Sequence, residues 1–334
     1  MTSTSRRKVV CAIALASGIF GIATTAAQAQ ALTKLTITME FTPGGFHTPF
    51  YLAQQKGWFK EAGIDLTIRD GKGSANTINL VGAGQSDLGF TPGSAAIIAR
   101  TKGIPVKTIA TIMNKNAYGI VFKKGAQIRN AQDLKGKELV YTIGSMEGVF
   151  TESFLASAKL NKSDVKLMGV DAASKAAAVV SGKTDGAIVP VPFYVGLLAG
   201  KQEIGTLLYH DFGDRFIDIG IITSDDVIKQ KPAALKAFVS VMSRAFTYTR
   251  NNGMEEAAAA LVALRPDASI DAPSLVNMFR AYAAHIDTPL SQGKPIGYIS
   301  EAAWAESVDT LKRLDVIPKD AKAADMYTTE FSPK

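Results

Sequence analysis

The side chains best suited to chemistry in this 334-residue chain are aromatic rings and hydroxyl groups gathered near glycine-rich turns. Phe41, Phe46, His47, Tyr51, Tyr118, Phe150, Phe193 and Tyr194 supply rings for a stacking wall against a planar molecule. Phe41 and His47 stand out because they flank the first expected strand-to-helix turn. Ser74, Ser94 and Ser145 each follow a glycine and mark expected helix N-termini. Free N–H groups and partial positive charge there suit a carboxylate, sulfonate or phosphate, although ordinary serine capping produces the same pattern. Thr91, before Pro92, is expected to cap a helix on that edge. Asn114 and Tyr118 offer polar contacts near an expected hinge. Glu147, at a helix start, either complements the dipole or accepts from a ligand amine. In Pro190-Val191-Pro192-Phe193 the prolines stiffen a turn that presents Pro192 and Phe193. Cations are sparse in these segments apart from Lys72, Lys115 and Lys175, which weighs against a strongly anionic ligand.

Motifs that imitate catalysis break on inspection. Gly182-Lys183-Thr184 resembles the end of a phosphate-binding loop, but Ala177 stands where the earlier glycine belongs, and the triplet closes a helix instead of opening one. Gly71-Lys72-Gly73 has Asn76 in place of the last glycine of a dinucleotide fingerprint. No Gly-x-Ser-x-Gly elbow is present. His47 has no obvious acidic partner close in sequence to orient it as a base. The histidines, His47, His210 and His285, lack zinc spacing, so neither metal nor cofactor is expected.

Arg6, Arg7 and Lys8 precede an apolar stretch from Val9 to about Ile22, and small residues lead to Ala27-Gln28-Ala29 and Ala29-Gln30-Ala31. This is the pattern of a cleavable secretory signal over residues 1–29, with cleavage after Ala29 or Ala31. Val9 and Val10 replace the residues a twin-arginine signal prefers, and Val10 before Cys11 does not suit a lipid anchor. Cys11 is the one cysteine, so the mature chain is expected to lack thiol chemistry. Removing Arg6, Arg7 and Lys8 from the formal net charge of +7 leaves a mild, dispersed +4, which argues against nucleic-acid binding.

The positioning elements alternate. Strands are expected at Leu35–Met39, Ile64–Ile68, Leu88–Phe90 and Val106–Ile112, separated by helices at Pro49–Lys56, Ala75–Ala83 and Pro92–Lys102. A second run has strands at Glu138–Tyr141, Val165–Met168 and Gly186–Val189, with helices at Met146–Ala158, Ala172–Ser181 and Phe193–Ala199. Thr48, Ser74 and Thr91 are expected caps. After Ile217–Ile222 the pattern becomes helical. This order is that of an α/β fold with a largely parallel sheet. Gly84-Gln85-Ser86-Asp87 and Gly182-Lys183-Thr184-Asp185 each precede a strand, with a proline five residues after the aspartate. The echo suggests two related lobes bringing strand C-termini to a common edge.

The run from Phe41 to Ala53, followed by Lys56-Gly57-Trp58-Phe59-Lys60-Glu61-Ala62-Gly63-Ile64-Asp65-Leu66, resembles the opening of periplasmic binding proteins of the thiamine-pyrimidine (THI5/NMT1-like), sulfonate, taurine and nitrate group. Gly73-Ser74, Gly84 to Gly89 and Asp133-Leu134-Lys135-Gly136-Lys137 are similar to later family segments. The resemblance implies a type II periplasmic-binding fold, with two α/β lobes around a central cleft and a helical C-terminal tail. The first lobe would span 32–123 and return at 217–334, the second 124–216, with crossings at Tyr118–Phe122 and Ile217–Ile222. It further implies a monomeric periplasmic component of an ABC importer that delivers a small molecule to an inner-membrane permease and its ATPase. A thiamine-precursor pyrimidine or similar planar ring is the expected ligand; an alkanesulfonate or aromatic carboxylate is the alternative, and an enzyme or ligand sensor on the same fold the other classes. Pyrimidine binders usually carry Trp and Asn where this chain has Phe41 and Gly44. Eukaryotic members that make the pyrimidine carry a cysteine-rich motif missing here, so no enzymatic activity is expected.

Overall fold

The computed structural model describes Met1 and residues 31–143, 145, 147–171 and 174–334. Apart from Met1, the expected leader lies outside the described residues. In the first run, β1 (Thr33–Met39) leads through a 3-10 turn into α1 (Thr48–Gln55) and α2 (Trp58–Glu61). Then come β2 (Ile64–Arg69), α3 (Ser74–Gly82), β3 (Leu88–Pro92), α4 (Gly93–Thr101) and β4 (Val106–Thr111). The second run holds β5 (Tyr118–Lys123), β6 (Glu138–Thr142), α5 (Glu147–Ser157), β7 (Lys166–Val170) and α6 (Ser174–Ser181). It ends with β8 (Gly186–Pro190), α7 (Val191–Leu198) and β9 (Ile204–Leu208). After β10 (Ile219–Ser224) the chain is helical: α8 (Asp225–Gln230), α9 (Pro232–Asn251), α10 (Met254–Leu264), α11 (Ala272–Ala283) and α12 (Glu301–Arg313).

The strands form two five-stranded sheets, ordered β2-β1-β3-β10-β4 and β7-β6-β8-β5-β9. In the first, β1 is parallel to β2 and β3, and β10 runs antiparallel between β3 and β4. In the second, β6 is parallel to β7 and β8, and β5 runs antiparallel between β8 and β9. Each sheet thus repeats one plan with one inserted strand. The expected crossings at Tyr118–Phe122 and Ile217–Ile222 overlap these inserted strands. The chain passes between the sheets through residues 112–117 and returns through 209–218. β9 was not anticipated, and the sheets are mixed instead of largely parallel because β5 and β10 enter after connections too short to hold a crossover helix.

The echo has a physical basis. Asp87 precedes β3 and accepts the N–H of Thr36 in β1 at 2.9 Å, and Asp185 precedes β8 and accepts the N–H of Glu138 in β6 at 2.9 Å. Each carboxylate satisfies a backbone donor of the neighbouring parallel strand, Thr36 within β1 and Glu138 at the start of β6. The expected caps fare differently. Thr48 is the first residue of α1 and its hydroxyl donates to the Gly45 carbonyl at 2.8 Å. Gly73 and Pro92 occupy the cap positions of α3 and α4, with Ser74 inside the first helix and Thr91 still in β3.

The first sheet is covered by the C-terminal helices. Leu235, Phe238, Met242 and Phe246 of α9 share one apolar cluster with Phe50, Phe59 and Phe90. Full burial of each such ring stabilises the fold by about 1.5–3 kcal/mol. Trp304, Val308 and Leu311 of α12 join a second cluster with Tyr118, Phe150 and Phe154. The two halves also meet at Met278 of α11. A Cβ on Gly45 would stand 2.4 Å from Met278 Cβ, and one on Gly196 of α7 would stand 2.3 Å from Met278 Cα. Both glycines are required by close approach of chain. Gly196→Ala is expected to lower stability by about 1–3 kcal/mol through overpacking. A urea unfolding curve with an unchanged midpoint would show that α7 and α11 part without cost.

Candidate functional site

A cavity of ≈ 390 Å³ opens where the C-terminal ends of the parallel strands of both sheets converge. Glu40 and Phe41 follow β1, Pro92 ends β3, Thr142 ends β6 and Pro190 ends β8, and all line it. This is the edge where open α/β sheets present ligand sites. Phe41 from the first half and Phe193 from the second are partly exposed aromatic walls. The Phe193 ring lies so near the first-half turn that a Cβ on Gly44 would stand 3.2 Å from Phe193 Cε2.

The floor carries three carboxyl groups, each held differently. The Gly44 N–H donates to His47 Nδ1 at 2.9 Å. That leaves the imidazole proton on Nε2, which donates to the buried Glu40 carboxylate at 3.3 Å. Glu147, the first residue of α5, pairs through Oε1 with Lys175 Nζ at 2.6 Å, while its Oε2 accepts the Thr142 N–H at 2.6 Å. Both side chains are 3% exposed. Lys175 also donates to the Ile188 carbonyl at 3.1 Å, and burial pulls its ammonium below the usual lysine range against the pull of Glu147. Asp218 accepts the Ala117 N–H at 2.8 Å. Burial pushes its carboxyl up to about 7, with the Ala117 hydrogen bond opposing and Glu40 assisting. Burial also raises the phenols of Tyr118 and Tyr282 well above 10, and that of Tyr194 upward. All three therefore stay protonated at neutral pH.

Of the residues singled out from sequence, Phe41, Phe46, His47, Tyr118, Glu147, Lys175, Pro190, Phe193 and Tyr194 come together on this cavity. The others lie outside its lining. Tyr51 is in the core, with its hydroxyl accepting from Arg265 at 3.1 Å. Ser74 and Ser94 sit buried in the first turns of α3 and α4, and Thr91 is buried in β3. Asn114 faces a different cavity and gives its amide hydrogen to the Ile286 carbonyl at 2.9 Å. The Ser145 hydroxyl donates to the Thr142 carbonyl at 2.8 Å and accepts the Glu147 N–H at 3.2 Å. Pro192 lies in the first turn of α7, not in a free turn. The sequence reading missed Glu40, Asp218, Tyr282 and the role of Lys175. Glu40 corrects the view that His47 lacks a nearby acidic partner: it stands seven residues earlier, directly after β1.

Residues 45–256 match the family model described as NMT1/THI5 like. The chain belongs to this family. Its relatives include the 4-amino-5-hydroxymethyl-2-methylpyrimidine phosphate synthase THI5 of Saccharomyces cerevisiae, 24% identical over 313 residues that cover 89% of this chain and 87% of the relative. The riboflavin-binding protein RibY of Chloroflexus aurantiacus is 25% identical over 315 residues, covering 90% and 87%. The solved periplasmic aliphatic sulphonate binding protein SsuA of Escherichia coli has a TM-score of 0.67 at 17% identity, covering 88% of this chain and 97% of that one. The fold is accordingly that of periplasmic binding proteins, α/β in two parts about a cleft, with a helical C-terminal region. The expectation of a chain without enzymatic activity is overturned by the synthases among the full-length relatives. The missing cysteine motif was too narrow a ground for it, since a His–carboxylate pair stands in the cleft.

Lys175→Met would strand the buried Glu147 carboxylate and is expected to cost about 3–5 kcal/mol, most of it restored by adding Glu147→Gln. Denaturant unfolding of the single and double variants measures this, and equal losses would rule out the coupling. The Asp218 carboxyl holds its proton to about 7 in the folded chain, whereas the unfolded chain releases it near about 3.9. The unfolded state therefore binds fewer protons in that window, and stability falls as pH rises from about 4 to about 7, by at most about 4 kcal/mol. Asp218→Asn should flatten this decline in unfolding curves taken across that range; an unaltered slope would place the titration elsewhere.

Proposed function

We propose that this chain captures a small, planar, nitrogen-containing molecule in the cleft, as the periplasmic solute-binding component of an ABC importer that hands it to an inner-membrane permease and its ATPase. The observation that carries the reading is the pair Phe41 and Phe193, one from each half, above a floor of Glu40, His47 and Asp218. Aromatic walls suit the faces of a ring, and buried carboxyl oxygens suit its amino or protonated ring N–H groups. The names of the relatives point to a substituted aminopyrimidine of the 4-amino-5-hydroxymethyl-2-methylpyrimidine type. The charge inventory speaks against the sulfonate alternative: Glu40, Glu147 and Asp218 face the cavity, and Lys175 is already paired. The helix start at α5 is filled by its own Glu147 carboxylate, leaving little attraction for an anion. The basic, apolar and Ala-x-Ala series at the start of the chain supports a periplasmic location, and a monomer suffices for the role.

One observation favours a second reading, in which the cleft also transforms what it binds. The Gly44 N–H fixes the tautomer of His47 and turns its Nε2–H onto Glu40 at the cavity, an imidazole–carboxylate pair of the kind that moves protons. Mass spectrometry of candidate compounds incubated with the protein separates the readings, since a carrier returns them unchanged.

Thermal unfolding of refolded, ligand-stripped protein tests binding. A 4-amino-5-hydroxymethyl-2-methylpyrimidine present at about a hundred times its dissociation constant adds about 2.7 kcal/mol, enough to raise the midpoint by a few degrees. The shift should vanish in Phe193→Ala at the same concentration. Alkanesulfonates should leave the midpoint in place; a shift with them and none with pyrimidines would sink the proposal.

A further inference from the structure

Two carboxyl groups on the cleft floor form no ion pair with lysine or arginine among the described residues: Glu40, directly after β1, and Asp218, directly before β10. The third, Glu147, is neutralised by Lys175. Glu40 turns both oxygens to His47 Nε2, each at 3.3 Å, and keeps a tenth of its side chain exposed. Asp218 is held from one side only. Its Oδ2 accepts the Ala117 N–H at 2.8 Å, while Oδ1 takes no hydrogen bond among the described residues and opens on the cavity that Asp218 lines.

The surroundings of Asp218 favour a proton on it. Tyr118 of β5 and Tyr282 of α11 face it as neutral phenols, both raised well above 10 by burial. Across the cavity stand the neutral imidazole of His47, the phenol of Tyr194 in α7, and the Glu147–Lys175 pair, whose charges cancel. Behind the crossings lies the second cavity, lined by Asn114, Ile217 and His210. There burial pulls His210 below the usual histidine range and His285 down to about 4, and it raises Asp214 to about 6. The cations of that region have acidic neighbours of their own: Lys115 lies 3.6 Å from Asp211, and Arg215 lies 3.9 Å from Glu306. Two carboxyl groups in one enclosed cavity without a cation do not both ionise readily. Glu40 has the imidazole N–H to support a charge, so the proton falls to Asp218, whose carboxyl is pushed up to about 7 by burial with Glu40 assisting. The floor thus sets a donor beside an acceptor.

We infer that Asp218 Oδ1 and a ring nitrogen of the bound molecule share one proton while Glu40 accepts from the neighbouring amino group. Asp218 then selects rings that carry an amino group beside an unsubstituted nitrogen. This rests on the cleft reading. One proton balances the step: Asp218 or a protonated ring brings it, solvent supplies it when neither does, and one is released when both do.

Isothermal titration calorimetry of the ligand-stripped full chain, in buffers of different ionisation heat, counts that proton. The probe is 4-amino-5-hydroxymethyl-2-methylpyrimidine. At about pH 8 most free Asp218 has lost its proton, so binding should take up about one, and affinity should fall about tenfold per pH unit above about 7. Asp218→Asn supplies a fixed donor, because its amide oxygen can accept the Ala117 N–H while its amide hydrogens face the ring. Proton uptake should drop to about zero in the variant, and affinity should stay level between about pH 7 and about pH 9. Binding without uptake in the unaltered chain overturns the inference and leaves the cleft reading standing. Uptake that persists in Asp218→Asn does the same, since it then belongs to Lys175 or His47. If the variant does not fold, the unaltered chain decides alone. Sharing requires a proton to be released at about pH 5, where Asp218 and the aminopyrimidine each bring one; uptake at about pH 8 with no release there counts against it. No binding at either pH overturns the cleft reading and this inference together.

Discussion

The hydrogen bond from the Ala117 N–H to the Asp218 carboxylate, at 2.8 Å, ties together segments 101 residues apart. The Asp218 N–H reinforces it by donating to the Met113 carbonyl at 3.2 Å. Because these crossings are held side by side, β5 and β10 must start beside one another and run off in opposite halves. Each then enters a parallel sheet as its antiparallel member, beside β8 in one case and β3 in the other. The edge where β1, β3, β6 and β8 end is thereby brought over the crossings, and Asp218 becomes part of the cleft floor. Fold and cleft depend on the same buried carboxyl group.

That dependence has an energetic consequence. A buried carboxylate without a cation is costly, and the protein meets the cost in three ways within one cavity. Glu147 takes Lys175 as a partner and a backbone N–H besides. Glu40 takes a neutral imidazole proton. Asp218 receives one N–H and is held near neutrality by its raised pKa. The result is a floor rich in acceptors yet low in net field, which distinguishes ligands by where they donate more than by their total charge. Ionic strength should matter little to such recognition, since the charges concerned are buried and locally compensated.

Much of the scaffold was legible because its signals are local. Alternating apolar runs mark the parallel strands within a residue or two, and the paired Gly-polar-polar-Asp turns announce two equivalent halves through Asp87 and Asp185, whose carboxylates do the same work. The inserted strands were not legible. Tyr118–Lys123 and Ile219–Ser224 read as apolar segments, but which sheet each joins depends on contacts between distant crossings. The site divided likewise. Phe41 and His47 were visible from a strand-to-helix turn, and Glu40 was within reach of the same logic, since the first residue after a strand and the turn that follows share one edge. Glu147 gave a dipole signal, yet Lys175 lies 28 residues beyond it with no periodic relation. The serines after glycine misled because helix starts with Gly73 and Pro92 at the cap position turn the following hydroxyls into the core.

A cleft of this kind is equally suited to carrying and to converting, and the reason is geometric. A ring held between Phe41 and Phe193 would draw on both halves and exclude water, which would strengthen every hydrogen bond to the floor. A carrier uses that gain as affinity. An enzyme uses the same enclosure to protect a proton transfer, and the Glu40–His47 pair is already oriented for one. The family's mixture of synthases and binding proteins then requires no change of fold, only a change in what the enclosed molecule presents to the Glu40 carboxylate. The crossings govern both outcomes, since Met113 and Asp218 touch the cleft while Asn114 and Ile217 touch the cavity behind it, and closure cannot move one wall without moving the other.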